Sequence, residues 1–206
     1  MKKTRLDIEG LYQLKKEDLS KCAVVAAKAF ETDPACNFLF ESKLKYDALY
    51  EYFLVVFKAL YNKMYIFADS KDVNGFIIIT QIKNSNLSLL DFLKAGGIKI
   101  ILKQGLGIVL NSLNYESNCI EIRDRIINRN DWHIFQFGVS PEKQGSGIGS
   151  KIIKPVLNWI EQQKVGCYLE THKKINVEIY KHLGFNIKSI DTLPNTKTEQ
   201  YAMLKC

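Results

Sequence analysis

Hydrophobic and polar positions change period several times along the chain, and each change marks an element. Leu19, Ala23, Ala26, Ala27 and Phe30 recur at helical spacing behind Glu17 and Asp18, acids suited to a first turn. A helix is therefore predicted over 17–30, ending before Asp33-Pro34 because the residue before a proline avoids the helical region. Phe38-Leu39-Phe40 reads as an apolar patch on a short turn. A long helix is predicted from about Leu44 to Asn62, with Leu44, Ala48, Tyr52, Val55, Val56, Ala59 and Leu60 on one face. Met64 to Ala68 and Phe76 to Ile82 have strand composition and are joined through Asp69 to Gly75, with Asn74-Gly75 as the hairpin signal.

Residues 87–112 are rich in Leu and Ile but broken by Gly96, Gly97, Gly105 and Gly107, each costing a helix interior about 1 kcal/mol relative to Ala. A flexible helical pair over a neighbouring site and a packed insertion fit this stretch equally. A polar helix over 116–130 leads into Trp132 to Val139, a strand by its Ile134, Phe135, Phe137 and Val139. Pro141 breaks that strand, and Ile148, Ile152, Val156 and Ile160 then share one helical face that Pro155 should bend. Strands over Cys167 to Thr171, Phe185 to Thr192 and Glu199 to Lys205 complete the chain, the last two separated by a turn at Pro194-Asn195.

Composition narrows the picture. The chain has 206 residues, 47% hydrophobic and 25% charged, which suits one globular domain with a real core. The opening MKKTRLDIEG has no apolar stretch behind it and does not read as a signal peptide. No segment approaches the roughly 18 uncharged apolar residues of a membrane span. Cys22, Cys36, Cys119, Cys167 and Cys206 are odd in number and scattered, which favours reduced thiols in a cytoplasmic protein over a disulfide scaffold. His133, His172 and His182 show no metal-ligand spacing with them, so no metal is expected. The net charge of +7 invites a nucleic-acid partner, yet the basic residues are spread and no binding motif accompanies them.

Chemistry concentrates behind the central strand. Gln144-Gly145-Ser146-Gly147-Ile148-Gly149 is a glycine-rich turn opening a helix, an arrangement that presents free backbone N–H groups and a positive dipole end to an anion. Gly145, Gly147 and Ser150 nearly make the dinucleotide fingerprint, with Glu170 near the spacing of about 20 residues expected of a ribose-binding acid. Ser140 to Gln144 separate strand from glycine, however, and too little chain follows Glu170 for further βαβ units.

Gln144-x-x-Gly147-x-Gly149 resembles the Gln/Arg-x-x-Gly-x-Gly/Ala signature of the GNAT superfamily of N-acetyltransferases. Ordered pieces accompany it: Cys167-Tyr168-Leu169-Glu170-Thr171 as the next strand, then Asn176, Tyr180 and Gly184-Phe185, with Ala29-Phe30 and Asp33-Pro34 upstream. Val139 to Phe185 is especially similar to the puromycin N-acetyltransferase-like members. The resemblance is strong over 132–185 and weak over 1–62, with none seen between 83 and 130.

The resemblance implies an α/β (α+β) fold: a mixed, mostly antiparallel sheet flanked by helices, a splayed strand pair for the cofactor, and a helical insertion at about 84–130. It implies acetyl-CoA as donor, its pyrophosphate on the backbone of Gln144, Gly145, Ser146, Gly147, Ile148, Gly149 and Ser150. Its pantetheine arm would pair with Phe137, Gly138 and Val139, where a main-chain N–H can also stabilise the oxyanion; a bulge or close ligand approach is expected at Gly138. Asn176 would bond the cofactor. Tyr180 would be the general acid, its phenol protonated at neutral pH, although spacing alone favours a packing tyrosine and only the resemblance of Asn176, Tyr180 and Gly184-Phe185 together offsets that. Glu170 would be the base, provided desolvation raises its pKa, or else a binding group for a cationic acceptor.

The implied reaction is acetyl transfer to the primary amine of a small molecule by a monomer or homodimer. A catalytically inactive sensor or scaffold that keeps the pocket is the alternative, and an RNA-associated protein rests on charge alone. The acceptor is not legible.

Overall fold

The computed structural model describes residues 6–40, 45–193 and 196–206. Seven strands form one sheet: β1 (Tyr12–Gln13), β2 (Tyr65–Ala68), β3 (Gly75–Gln81), β4 (Trp132–Val139), β5 (Cys167–Thr171), β6 (Asn186–Thr192) and β7 (Glu199–Lys205). Their order is β1-β2-β3-β4-β5-β7-β6, and every neighbouring pair is antiparallel except β4 with β5. This is the expected mixed sheet between helices.

Both faces of the sheet are covered, which is why β3 reads as an unbroken apolar run rather than an alternating one. Phe76 and Ile78 point into a core made with α1 (Leu19–Ala29) and α3 (Tyr46–Leu60), where Ala23, Ala26, Phe53 and Phe57 are buried. Ile77 and Ile79, one pleat away, point into a second core with α7 (Ile148–Gln162) and α8 (Lys174–His182), built on Ile152, Val156, Ile160 and Val177. Pro155 sits inside α7 without shortening it.

Several expectations needed correction. Phe38-Leu39-Phe40 does not lie on a turn: Pro34–Leu39 is a helix, α2, started by Pro34 at its first position and capped by Asp33, whose carboxylate accepts from the Ala35 N–H at 3.0 Å. Asp33-Pro34 thus ends one helix and begins the next. The insertion forms α4 (Leu89–Phe92), a π-helical turn over Leu93–Gly97, α5 (Ile98–Gln104) and α6 (Gly107–Asp124). The polar helix expected at 116–130 is therefore the later part of one that starts at Gly107 and ends at Asp124. Its period was obscured because Ser112, Tyr115 and Glu116 face an internal cavity, so polar residues occupy inward positions. The expected helix start at Leu44 and turn at Pro194-Asn195 lie outside the described residues.

One irregularity positions the site. β3 and β4 shift register between Ile78 and Ile79, so Phe135 is the extra residue of a β-bulge. A bulge bends its strand and adds twist. β4 pairs with β5 only at Trp132↔Cys167 and His133↔Tyr168 and then runs on to Val139 without another registered pair. The two parallel strands open into a gap beyond His133. The bulge expected at Gly138 lies three residues earlier, and Gly138 itself stays in register with Phe76. It is glycine because the core comes close: a Cβ there would meet the Phe76 ring at 3.0 Å and the Phe30 ring at 3.3 Å.

Candidate active site

Beyond Val139 the chain turns sharply. The Ser140 N–H donates to Asn74 O at 2.8 Å, and a short 3-10 turn over Pro141–Lys143 follows. Gln144 folds back, its Nε2 donating to Val139 O at 3.2 Å, and ties the loop to the end of β4. Gly147 then takes φ of 84°, a left-handed conformation that any other side chain would strain, and serves as the N-cap of α7.

Glycine has no side chain to cap with. The first intrahelical bond is Lys151 N–H to Gly147 O, so the N–H groups of Ile148, Gly149 and Ser150 have no acceptor within the helix. Gly145, Ser146 and Gly147 are exposed and space lies open around both glycines. An uncapped helix start with its donors turned to solvent is a cradle for an anion, and the expected segment 144–150 is assembled there.

The gap between β4 and β5 leads into a cavity of about 240 Å³, floored by the two strands and walled by Phe30 at the end of α1, by α2, α3, α4 and α6, and by α8. Tyr180, Asn176, Glu170 and Phe137, all singled out in the sequence, line it together; Gly138 and Val139 do not, lying further along β4 toward the cradle. Asn176 bonds Thr171 Oγ1 through Nδ2 at 3.1 Å and so braces the end of β5 against α8. Tyr180 is buried and packs its ring against Phe185 at 5.9 Å. Burial, aided by Asp33, raises its phenol above the usual value and keeps it protonated.

Glu170 meets a different environment from the expected one. Burial pushes its carboxyl up, but His133, Tyr168 and His172 outweigh that, and the net shift is down. It stands as a carboxylate at neutral pH. His133 is 2% exposed, and its Nε2 lies 3.6 Å from Glu170 Oε2, ion-pair range but outside hydrogen-bond range. His172, pulled down by burial against the opposing influence of Asp33 and Glu170, stays neutral. Both ring nitrogens of His133, Gln136 Oε1, Glu170 Oε2 and His172 Nε2 are buried without a hydrogen-bond partner. Each such atom costs about 1–3 kcal/mol if left dry. Their concentration around one cavity indicates that it is built to be filled.

His133, Gln136 and His172 were missed in the sequence. The available signal was the pleat: Tyr168 and Glu170 share a face of β5, and the parallel register sets His133 beside Tyr168 on the same side. Without the strand pairing no spacing connects these residues.

Among the described residues, no group of His, Cys, Asp and Glu could hold a metal ion, and no helix is long and apolar enough to cross a membrane. All five cysteines are free.

Residues 106–185 match the model of the Acetyltransferase (GNAT) family. The match begins in α6, inside the stretch where no resemblance was seen. The chain is 24% identical over 210 residues to a probable serine/threonine-protein kinase of Dictyostelium discoideum, covering 86% of this chain and 28% of that protein. It is 39% identical over 54 residues to an uncharacterized N-acetyltransferase of Schizosaccharomyces pombe, covering 26% of this chain and 22% of that one. The chain therefore matches only about a quarter of the length of these curated relatives.

Among solved structures, the C-terminal condensation domain of Ebony, in complex with β-alanyl-dopamine, superposes with TM-score 0.66 at 9% identity, covering 95% of this chain and 97% of that one. An N-acetyltransferase from Staphylococcus aureus Mu50 gives 0.62 at 15% identity, covering 94% and 98%. The PaiA N-acetyltransferase from Thermoplasma acidophilum, in complex with coenzyme A, gives 0.51 at 12% identity, covering 95% and 96%. At these identities the likeness is one of fold.

Proposed function

We propose that this chain, which has the GNAT fold and matches the family model over residues 106–185, is an acetyl-CoA-dependent N-acetyltransferase for the primary amine of a small molecule. The observation that supports it best is the continuity of donor cradle and cavity. The cavity follows β4 from His133 to Phe137, and the loop that carries the anion cradle is tied back by Gln144 to Val139, two residues on. Within the family, the Leu169-Glu170-Thr171 strand end favours kinship with the puromycin N-acetyltransferase-like proteins.

When bound, acetyl-CoA supplies an acetyl group activated as a thioester. The N–H groups of Gly145, Gly147, Ile148, Gly149 and Ser150 would hold its pyrophosphate, with Gln144 and Ser146 shaping the loop through N–H bonds to Pro141 O and Lys143 O, and the open edge of Phe137, Gly138 and Val139 would hold the amide-bearing arm. Asn176 fixes the end of β5 beside it. Tyr180 donates from its phenol oxygen to the departing sulfur. Burial weakens the phenol as an acid, but it equally raises the proton affinity of a thiolate leaving into the same cavity.

Glu170, ionised, holds the acceptor ammonium. His172 Nε2, neutral and without a partner, takes the proton that must leave before the nitrogen can attack. The sheet floor thus binds and deprotonates the acceptor, and α8 protonates the leaving group.

Calorimetric titration with acetyl-CoA, with NAD as control, tests the donor assignment, followed by thiol release with a panel of amines. Saturable micromolar binding of acetyl-CoA alone and amine-dependent thiol release are expected. Binding without thiol release from any amine would point instead to a sensor or scaffold that keeps the pocket.

A further inference from the structure

The cavity is chemically divided. Its floor gathers the unpartnered polar atoms of His133, Gln136, Glu170 and His172, whereas Phe30, just past α1, Tyr52 and Phe53 of α3 and Phe92 of α4 supply an aromatic wall. Phe30 and Phe53 pack at 5.5 Å, and Tyr52 lies 6.2 Å from Phe92, so the wall is continuous. The charged residues lining it are Asp33, Glu116, Glu170 and Arg123. Arg123 is already engaged, donating to Ser85 Oγ at 2.6 Å and Asn86 Oδ1 at 3.1 Å and pairing with Asp124 at 3.1 Å. Burial raises the carboxyl of Glu116, which accepts from the Leu87 N–H at 2.9 Å. Glu170 is the anion left to meet a ligand at the floor.

A group that satisfies a carboxylate, an amide oxygen and a neutral imidazole nitrogen together must bring several N–H donors, which describes an ammonium with its three. The rest of the occupant meets aromatic rings and should be apolar. A volume of about 240 Å³ falls below the 300–1,000 Å³ of sites for drug-sized ligands, so the occupant is compact.

We propose that the acceptor is a compact hydrophobic primary amine, one aromatic ring or an equivalent aliphatic body on a short chain, bound with its ammonium on Glu170 and its body against Phe30, Phe53 and Phe92. This rests on the N-acetyltransferase reading. It disfavours amino acids, whose carboxylate would face Asp33 and Glu170, and polyamines, whose further ammonium groups would have to leave water with no second unengaged carboxylate at the floor to pair with.

The test compares 2-phenylethylamine, ethylamine, phenylalanine and spermidine by thiol release at saturating acetyl-CoA, with direct calorimetry of 2-phenylethylamine and its neutral counterpart 2-phenylethanol. 2-Phenylethylamine should exceed each other amine at least thirtyfold in kcat/KM and bind at least tenfold tighter than 2-phenylethanol. If spermidine, phenylalanine or ethylamine matches or exceeds it, the acceptor assignment falls while the transferase reading stands. If acetyl-CoA does not bind, the transferase reading falls, and the two-ligand calorimetry still decides what the cavity recognises. Equal affinity for the amine and the alcohol would overturn the ammonium site.

Discussion

Tyr180 and Glu170 were visible in the sequence as types at spacings, but what each does depends on neighbours drawn from elsewhere in the chain. Tyr180 is held by ring packing on Phe185, which a phenylalanine would keep. Tyr180→Phe should therefore fold normally, lower kcat tenfold or more, and leave acetyl-CoA affinity by calorimetry within twofold. Wild-type turnover would remove the hydroxyl from the mechanism. Glu170 carries a lowered pKa, so it is already ionised at pH 6 and does not titrate between pH 6 and 9. Glu170→Gln should consequently lower kcat/KM for the amine by a similar factor, tenfold or more, at every pH in that window. A slope of the wild-type profile that disappears in the variant would make Glu170 a titrating base instead. Desolvation is the effect a sequence suggests for an acid on a buried strand. The histidines that overturn it lie 37 residues before and two after, and only the parallel register brings the first of them close.

Elements were more legible than their edges. The hairpin of β2 and β3 was marked by Asn74-Gly75, yet what holds it is Asp69, whose carboxylate accepts the N–H groups of Asn74 at 2.8 Å and Gly75 at 3.0 Å and the Asn74 side-chain amide at 3.0 Å. Burial raises the Asp69 carboxyl, but these bonds outweigh it and the net shift is down. The stabilisation is therefore complete above the ordinary aspartate range and is lost as pH falls through the lower folded-state pKa. Asp69→Ala should cost about 2 kcal/mol in urea unfolding at pH 7, and the deficit should shrink below about pH 4. A deficit that persists unchanged at pH 3 would exclude the charged bonds as its source. Helix α2 was missed because six residues offer too little periodicity, and the first part of α6 because its polar side chains look into a cavity. The bulge at Phe135 left no signal, since an extra residue in an apolar run preserves the run.

At the scale of the whole molecule, a mixed, mostly antiparallel sheet and a glycine turn opening a helix could be anticipated from ordered motifs, whereas the strand order and the cavity could not. Its lining comes from the end of α1, from α2, α3, α4 and α6, and from β4, β5 and α8, and no local pattern announces that assembly. Coenzyme A at one hundred times its Kd should stabilise the fold by about 2.7 kcal/mol, a rise in Tm of about 5–10 °C. An unchanged Tm in calorimetric scans at that concentration would mean that the cradle is a steric turn only. The two faces of the sheet carry separate cores, one under α1 and α3 and the other under α7 and α8. The aromatic wall proposed to meet the acceptor belongs to the first, and the helix proposed to open on the donor is seated in the second. Under the proposed function, descent can therefore rewrite which molecules are modified by altering residues between 30 and 116, while the helix assigned to the donor keeps its own footing. The clientele of such a protein is free to drift, and its chemistry is the part that stays anchored.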